Sequence, residues 1–393
     1  MYDAARVRGL YTSLGEGWIY LNAGECPQIP EKVASGVATS FRTAPLVVAP
    51  EPGSRHSSNT HFGSTHMASA TRAVADLFSV RSDHVVLGPS SFVLARALAH
   101  SMSGRLARSG VVGARDHALN SAFSRYNLTI AEPDLGTGEI PSWQYRSLID
   151  GSTRLVIVPG AQPYVGTATP VEEIADITHS SSRAWVLLDA TALAPYRLID
   201  IDSYGVDIVL VDLAALGGPQ LSALVFRDTS MFPRFDHPLE AGPLSSGLLG
   251  GVAPLIDHYA GLVEDVEGQR SRRLRESMAS LDVYLSGLLR HAIESLRGLS
   301  GVHLVGITGE AAGYGMAAID RIPRLTFVVR GIDAATVQQR LFSNSLVTSL
   351  APQDPLLANM GVFEAGGALS IGLAPFNTYA DIDHLTRVLA SLG

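Results

Sequence analysis

The sequence predicts an α/β protein whose larger lobe is built on a mainly parallel sheet of seven strands. Short, continuous apolar runs alternate with helical patterns between residue 83 and about residue 228. Such alternation is typical of strands that are covered by helices on both faces of a sheet. After about residue 250 it gives way to two long helical patterns and then to separate strands. This change predicts a second, smaller α+β lobe.

The larger lobe is predicted element by element from apolar runs bounded by polar or turn-forming residues. Strands are predicted at 85–87, 110–114, 128–131, 154–158, 184–188, 207–211 and 222–226. Helices are predicted between them at 91–102, 118–126, 143–149 and 171–179. Ahead of this region, residues 51–64 are rich in Gly, Ser, His and Pro and predict a long loop.

The smaller lobe is predicted from long helices at 248–263 and 271–296, where apolar residues recur at helical spacing. Strands at 303–307, 324–329 and 368–373 follow, with helices at 334–342 and 380–392. A chain of 393 residues is too long for one ordinary core. We therefore divide it into a large lobe, residues 15–250, and a small lobe, residues 251–393, which residues 1–14 are expected to join.

Composition favours a well-packed globular protein. Apolar residues make up 46% of the chain and charged residues 17%, with a formal net charge of −8, so we expect neither nucleic-acid nor membrane binding. No apolar run approaches the ~20 residues that span a bilayer, and residues 1–13 lack the apolar stretch of a secretory signal. The single cysteine, Cys26, excludes an internal disulfide. We expect a cytoplasmic protein.

Four short motifs occur in an order that resembles one enzyme family. They are IYLNAGECP at 19–27, DIVLVDLAALGGP at 207–219, LEAGP at 239–243 and FNT at 376–378. Together they resemble the motifs of class V aminotransferases and cysteine desulfurases, over nearly the whole chain. The resemblance implies the fold of type I pyridoxal phosphate (PLP)-dependent transferases, and a homodimer with its sites at the interface.

The resemblance also implies a changed cofactor site. The family's cofactor-binding lysine lies in a Ser-x-His-Lys pattern, which aligns here with Asp212, Leu213, Ala214 and Ala215. The amine of that lysine forms the Schiff base to PLP, so alanine at position 215 predicts that no cofactor is bound covalently. The chain contains one lysine, Lys32, at a predicted helix start, and we expect it on the surface.

Other positions implied by the resemblance are partly retained. Asp189, at the end of a predicted strand, matches the aspartate that pairs with the pyridine nitrogen, and His117 matches the histidine that stacks on the ring. Ser90 and Ser91, at a predicted helix N-terminus, match the turn that binds the phosphate. The family's glutamine and its substrate-carboxylate arginine align with Ala192 and Ser370.

Three functions stay open. The first is a catalytically altered or inactive family member that retains a small-molecule pocket. The second is a PLP-independent enzyme in which His117, Asp189 and Asp212, with Cys26 or Glu25, supply acid–base or nucleophilic groups. The third is a PLP-dependent aminotransferase or desulfurase whose lysine comes from elsewhere, such as Lys32. Noncovalent PLP, held by His117, Asp189 and the Ser90–Ser91 turn, is a less favoured alternative.

Three histidines and the single cysteine are the remaining candidates for a functional role. His56, His61 and His66 cluster around the predicted loop, but no carboxylate completes a set of metal ligands, so no metal is predicted. Cys26 has no evident base beside it in the sequence and is interpreted as a small buried apolar residue.

Overall fold

The computed structural model describes residues 2–44, 47–48, 58–264, 266–307 and 319–392. The strands in these ranges are β1 (Ile19–Tyr20), β2 (Val47–Val48), β3 (Val85–Gly88), β4 (Gly110–Ala114), β5 (Asn127–Ala131), β6 (Thr153–Pro159), β7 (Trp185–Asp189), β8 (Ile208–Asp212), β9 (Ser222–Phe226), β10 (Leu244–Ser245), β11 (Val302–Leu304), β12 (Arg324–Val329), β13 (Leu346–Val347), β14 (Ser349–Leu350) and β15 (Leu369–Gly372).

The helices in the same ranges are α1 (Ala4–Arg8), α2 (Glu31–Thr43), α3 (Ser58–Leu77), α4 (Ser91–Ser101), α5 (Ser103–Leu106), α6 (Asn120–Phe123), α7 (Ser142–Leu148), α8 (Val171–Ser181), α9 (Ser246–Leu249), α10 (Val252–Ala260), α11 (Arg270–Arg297), α12 (Ala334–Phe342), α13 (Pro355–Asn359) and α14 (Tyr379–Ala390). Short 3-10 helices lie at Thr12–Leu14, Ser82–His84, Leu213–Leu216 and Thr229–Arg234.

Seven of the described strands form one sheet in the order β3-β9-β8-β7-β6-β4-β5. Strands β4 to β8 pair in parallel, whereas β9 runs antiparallel to both of its neighbours, β3 and β8. Strands β6 to β9 are buried along almost their whole length, which explains why continuous apolar runs predicted them. The predicted α/β class with a mainly parallel seven-stranded sheet is confirmed.

Alternate side chains of the sheet pack into different cores. In β6, Leu155 and Ile157 join a cluster that also contains apolar residues of α4 and α5. Val156 and Val158 join a larger cluster with residues of α3, α7, α8 and α10. The sheet is therefore covered on both faces, and its strand ends remain as the place where polar side chains can meet.

A second, antiparallel sheet has the order β11-β12-β15-β14. Helices α11, α12 and α14 pack around it, in the part of the chain where an α+β arrangement was predicted. The N-terminal residues approach the same region, because Tyr2 Oη donates to the Pro375 carbonyl at 2.7 Å and Arg8 Nη1 lies 3.7 Å from Asp381 Oδ2. None of the described helices is long and apolar enough to cross a membrane.

The helix predicted at 118–126 is wrong in length, because only α6 (Asn120–Phe123) forms there. The preceding Asp116 has a φ of 55°, a left-handed conformation that does not continue a helix. The Asn120 side chain donates to the Ala114 carbonyl at 2.6 Å, a local bond that competes with helical hydrogen bonding.

The single helix predicted at 248–263 is wrong, because the chain forms α9 and α10 with a break at Gly250 and Gly251. At Gly250, a Cβ atom would overlap the Ser40 hydroxyl of α2. The close approach of α2 and α9 therefore depends on glycine, and the helix is interrupted at that contact.

The long loop predicted at 51–64 is wrong for its last seven residues, because α3 begins at Ser58. Residues 51–57, with His56, lie outside the described residues. Farther along α3, Ala70, Ala73, Val74 and Leu77 are buried, and the helix packs against α9 and α10. This packing outweighs the weak helix propensity of the Ser, Asn and Thr residues at its start.

Candidate functional site

A cleft of about 670 Å³ lies at the carboxyl ends of the parallel strands, the edge at which open α/β sheets bind ligands. The loops after β4, β6, β7 and β8 contribute Ala114, Arg115, Asp116, His117, Ala118, Pro159, Ala161, Gln162, Pro163, Tyr164, Asp189, Thr191, Ala192 and Ala215. The remaining lining residues include Gly24, Glu25, Glu132, Leu135, Ile140, Arg324, Asp354 and Leu356. Hereafter "the cleft" means this cavity, whose volume suits a small molecule.

Asp189 reaches the cleft because it is the last residue of β7, between β6 and β8. Its Oδ1 accepts a hydrogen bond from the Thr191 backbone N–H at 3.0 Å. This turn fixes the carboxylate at the strand end instead of leaving it free in solvent. The other oxygen, Oδ2, lies 3.2 Å from His117 Nε2.

His117 is brought to Asp189 by the turn after β4, which bends at Asp116. The two side chains are only 14% and 16% exposed. The second ring nitrogen of His117, Nδ1, is buried and has no hydrogen-bond partner among the described residues. An unpaired buried polar atom is costly in free energy, so His117 keeps one unsatisfied ring nitrogen beside the cleft.

The contact with His117 also affects the charge state of Asp189. Burial alone would raise the pKa of Asp189, but the contact with His117 and the hydrogen bonds from Thr191 outweigh burial and hold the pKa below its ordinary value. Asp189 is therefore ionised at neutral pH. The carboxylate therefore holds the imidazole in place by the contact between Oδ2 and Nε2.

Asp212 lies at the end of the neighbouring strand, β8, but does not line the cleft within the described part of the chain. Its side chain caps the short helix Leu213–Leu216 by accepting from the Ala214 backbone N–H at 3.0 Å. Burial raises its pKa and the Asp189 charge adds to this, although the bond from Ala214 acts in the opposite direction. Its observed contact is that of a helix cap.

Ala215 does line the cleft, where it presents a methyl group. The chain's one lysine, Lys32, is elsewhere: it is exposed on α2, and its Nζ lies 3.5 Å from the Asp257 carbonyl oxygen. Among the described residues, those that line the cleft do not include Lys32.

Ser90 and Ser91 start α4, as the sequence predicted, but neither is among the described residues that line the cleft. The Ser90 hydroxyl accepts from the Val93 backbone N–H at 3.3 Å, so it caps its own helix. In the sheet, Gly88 pairs with Ser222, which pairs with Asp212. The turn that carries the two serines therefore begins at the same sheet edge as Asp212.

Arg324, the first residue of β12, was not among the predicted site residues, but it lines the cleft and is 6% exposed. A signal was present, because an arginine at the start of the apolar run 324–329 is unusual for a buried strand. Ser370, where the resemblance leads one to expect an arginine, is buried on β15. Ser370 pairs with Thr326, two residues along β12 from Arg324.

The remaining candidates lie apart from this arrangement. His66 is on α3 with its Nε2 3.5 Å from the Ser40 hydroxyl, whereas His56 and the side chain of His61 lie outside the described residues. No cluster of metal-binding side chains occurs in the described ranges. The interpretation of Cys26 as buried was wrong, because it is exposed in the loop after β1, where no apolar layer covers it.

Comparison with known proteins agrees with this fold. Residues 52–233 match the family Aminotransferase class-V. An uncharacterised protein of Mycobacterium tuberculosis is 38% identical over 413 residues, covering 100% of both chains. The aminotransferase-like protein FGM3 of Gibberella zeae is 24% identical over 353 residues, covering 81% of each chain.

Among solved structures, the apo cysteine desulfurase of Thermococcus onnurineus NA1 superposes with a TM-score of 0.80. It covers 98% of this chain and 97% of its own, at 15% identity, so the likeness concerns the fold. The matched residues contain the motif at 207–219 and all seven strands of the large sheet. Residues 52–233 therefore match the class-V aminotransferase family, and nearly the whole chain shares the fold of that cysteine desulfurase.

Proposed function

We propose that this protein belongs to the class-V aminotransferase family and binds a small molecule in the cleft without a Schiff base. In this proposal it is altered or inactive as a transaminase or desulfurase. The family normally depends on PLP. This chain differs at position 215, where an alanine aligns with the lysine that would bind the PLP aldehyde.

The observation that carries the proposal is that the cleft has Ala215 at the lysine position, whereas the chain's one lysine, Lys32, lies elsewhere. Ala215, which aligns with the family's lysine, faces the cleft with a methyl group, and the chain's only lysine lies exposed on α2 outside the cleft lining that the structure describes. Schiff-base formation needs an unprotonated amine beside the aldehyde. No described side chain of the cleft provides one.

The residues present therefore do not fit covalently held PLP. The phosphate side of the site fits poorly as well, because Asp212 aligns with the family's serine and a carboxylate repels a phosphate. Asp189 and His117 would remain available to a ring that binds noncovalently. We assign no reaction step to PLP in this protein.

A second candidate, a PLP-independent enzyme, is favoured by the Asp189–His117 pair. An ionised, buried carboxylate 3.2 Å from an imidazole whose other nitrogen is unpaired has the composition of a general acid–base group. In this reading His117 moves a proton to or from the bound molecule, and Asp189 orients the ring. Asp212 and Glu25 would contribute through their negative charge. The homodimer implied by the resemblance stays a prediction.

The first experiment is treatment of the purified protein with PLP and then borohydride, followed by peptide mapping. Free PLP is removed by gel filtration before reduction, so that an aldimine at the exposed Lys32 hydrolyses and is not trapped. We then expect wild-type protein to be colourless and to carry no reduced adduct at any side chain. The Ala215→Lys variant should turn yellow and carry the adduct at position 215, because the new amine would enter the cleft.

Lys32→Arg is the matched control, since it removes the last lysine amine while keeping the charge. A yellow wild-type protein that loses its colour in Lys32→Arg would overturn the proposal in favour of a lysine supplied from α2. Compounds released from heated wild-type protein identify the ligand. Conversion of that ligand by wild type, but not by Asp189→Asn, would support the second candidate over the first.

A further inference from the structure

Arg324 is held against the cleft by the smaller sheet. In the β12–β15 pair Arg324 lies opposite Gly372 and Thr326 lies opposite Ser370, so these four positions share one face of the sheet. That face contacts the cleft wall, because the Thr326 hydroxyl donates to the Tyr164 carbonyl at 2.9 Å. The guanidinium of Arg324 therefore belongs to the cleft, although its backbone belongs to another sheet.

The described partners of this guanidinium are all neutral. Nε donates to the Tyr196 hydroxyl at 3.2 Å and Nη1 donates to the Pro163 carbonyl at 3.1 Å. No carboxylate of the described chain forms an ion pair with it. Arginine has five N–H donors, so the donors left over include both of those on Nη2. Nη2 is absent from the buried atoms that lack a hydrogen-bond partner, so it keeps some exposed surface.

The side chain of Arg324 fits beside the cleft because Gly24 and Gly372 lack side chains of their own. A Cβ at Gly24 would stand 3.0 Å from Arg324 Nε and 3.1 Å from its Cζ, closer than packed atoms normally approach. Opposite Arg324 on β15, a Cβ at Gly372 would overlap the backbone of Gly24. The arginine is therefore fixed by contacts on several sides, which reduces the entropy lost when it binds a ligand.

The other charges of the cleft limit what can bind there. Arg115 forms an ion pair with Glu132, and Asp189 is paired with His117. Glu25, Asp116 and Asp354 have no basic partner within ion-pair distance among the described residues. One unpaired cation thus faces three unpaired carboxylates, and a ligand with several negative charges would be repelled.

We propose that Arg324 binds the single carboxylate of a ligand whose remaining part is apolar and carries no further negative charge. Nη1 and Nη2 supply the parallel donors of a bidentate arginine–carboxylate contact. Leu135, Ile140 and Leu356 of the lining provide apolar surface for the rest of the molecule. The inference rests on the proposed function, since it needs a cleft that takes a free ligand.

The test uses benzoate and benzamide as probes, because they share a shape and differ in charge. In calorimetric titrations of the full-length protein, benzoate should bind saturably and benzamide at least about tenfold more weakly, the loss expected for charge-assisted hydrogen bonds. Arg324→Gln should weaken benzoate by about tenfold to a hundredfold and leave benzamide unchanged. Inorganic phosphate should bind more weakly than benzoate.

Arg115→Gln is the matched control, since it removes one cleft arginine that already has a carboxylate partner, and it should keep the preference for benzoate. Gly24→Ala keeps Arg324 but displaces its guanidinium, so it should also weaken benzoate. Gly301→Ala, where an added Cβ meets nothing within 4 Å, should not.

Equal benzoate affinity in wild type and Arg324→Gln would overturn the assignment of Arg324. Wild type that binds no benzoate, or binds phosphate more tightly, would overturn the ligand class. Neither result touches the proposed function, which is decided separately by the PLP and borohydride experiment.

Discussion

His258 is a buried histidine whose pKa is lowered by its surroundings. It lies on α10, is 1% exposed, and its Nε2 is 2.8 Å from the Tyr11 hydroxyl. Burial lowers its pKa from 6.5 to about 3, and the positive charges of Lys32 and Arg6 add to this effect. The folded protein therefore keeps His258 neutral over a range in which the unfolded chain binds a proton.

We predict that His258→Gln reduces the acid sensitivity of folding. Between pH 6.5 and about 3 the unfolded state takes up the proton and the native state does not, so native stability falls as pH falls, by up to a few kcal/mol. The variant lacks this group and should lose less stability between about pH 6.5 and about pH 4. Thermal unfolding at several pH values measures the difference. Parallel curves for the two proteins would contradict it.

At the residue scale, the sequence predicted the cleft residues that follow strand ends. It did not predict the cleft residue that is placed there by tertiary contacts. Asp189 and His117 follow buried strands, so their meeting at one sheet edge follows from the parallel order of those strands. Arg324 reaches the cleft only through the β12–β15 register and the space at Gly24. Gly24 and Arg324 are 300 positions apart in the chain, so no local pattern reports their contact.

The break between α9 and α10 is the clearest case in which packing decides an element. Apolar spacing continues across the break, so the sequence favours one helix. Gly250 instead lies against Ser40 of α2, and Gly251 lies against Val37. Helices can approach this closely only where one of them lacks a side chain.

We predict that Gly250→Ala lowers the free energy of unfolding by about 2 kcal/mol, because the added methyl group overlaps Ser40 and the two helices must move apart. Urea denaturation would show this as a lower midpoint. Gly301→Ala serves as the control, because an added Cβ there meets nothing within 4 Å, and it should change stability by less than about 0.5 kcal/mol. A similar, small effect of both substitutions would show that α2 and α9 adapt freely.

Elements were predicted well where burial is uniform and poorly where it is not. The strands from β6 to β9 are continuous apolar runs, and each was predicted to within two residues. The start of α3 carries weak helix formers, and α6 is shortened by the side chain of Asn120. Neither boundary is marked by a change in apolar spacing, which is why both were predicted wrongly.

Across the whole molecule, the N-terminal residues connect parts that are distant in sequence. Tyr11 is 5% exposed and packs edge-on against both His258 of α10 and Phe376, which precedes α14. Arg6 donates to the carbonyl groups of Gly261 and Leu262. These contacts join the helices beside the large sheet to the small sheet. We therefore expect the large-sheet and small-sheet parts of the protein to unfold together.

We predict that Tyr11→Ala destabilises the whole fold by about 3 kcal/mol, the typical loss when a large buried aromatic side chain is truncated. A single unfolding transition should move to lower denaturant, with coincident near- and far-ultraviolet circular dichroism. Tyr379→Ala is the control. Because Tyr379 is 44% exposed, its truncation should lower the free energy of unfolding by less than that of Tyr11. Two separated transitions in the variant would mean that the lobes fold independently.

The position of Lys32 gives this protein an uncommon experimental property. Because it is the chain's only lysine and lies exposed on α2, amine-directed conjugation can attach one fluorophore at one side chain, apart from the terminal amine. The cleft would stay unmodified, since the dye sits outside its described lining. Ligand screening by fluorescence can thus begin with the natural sequence, without engineered labelling positions.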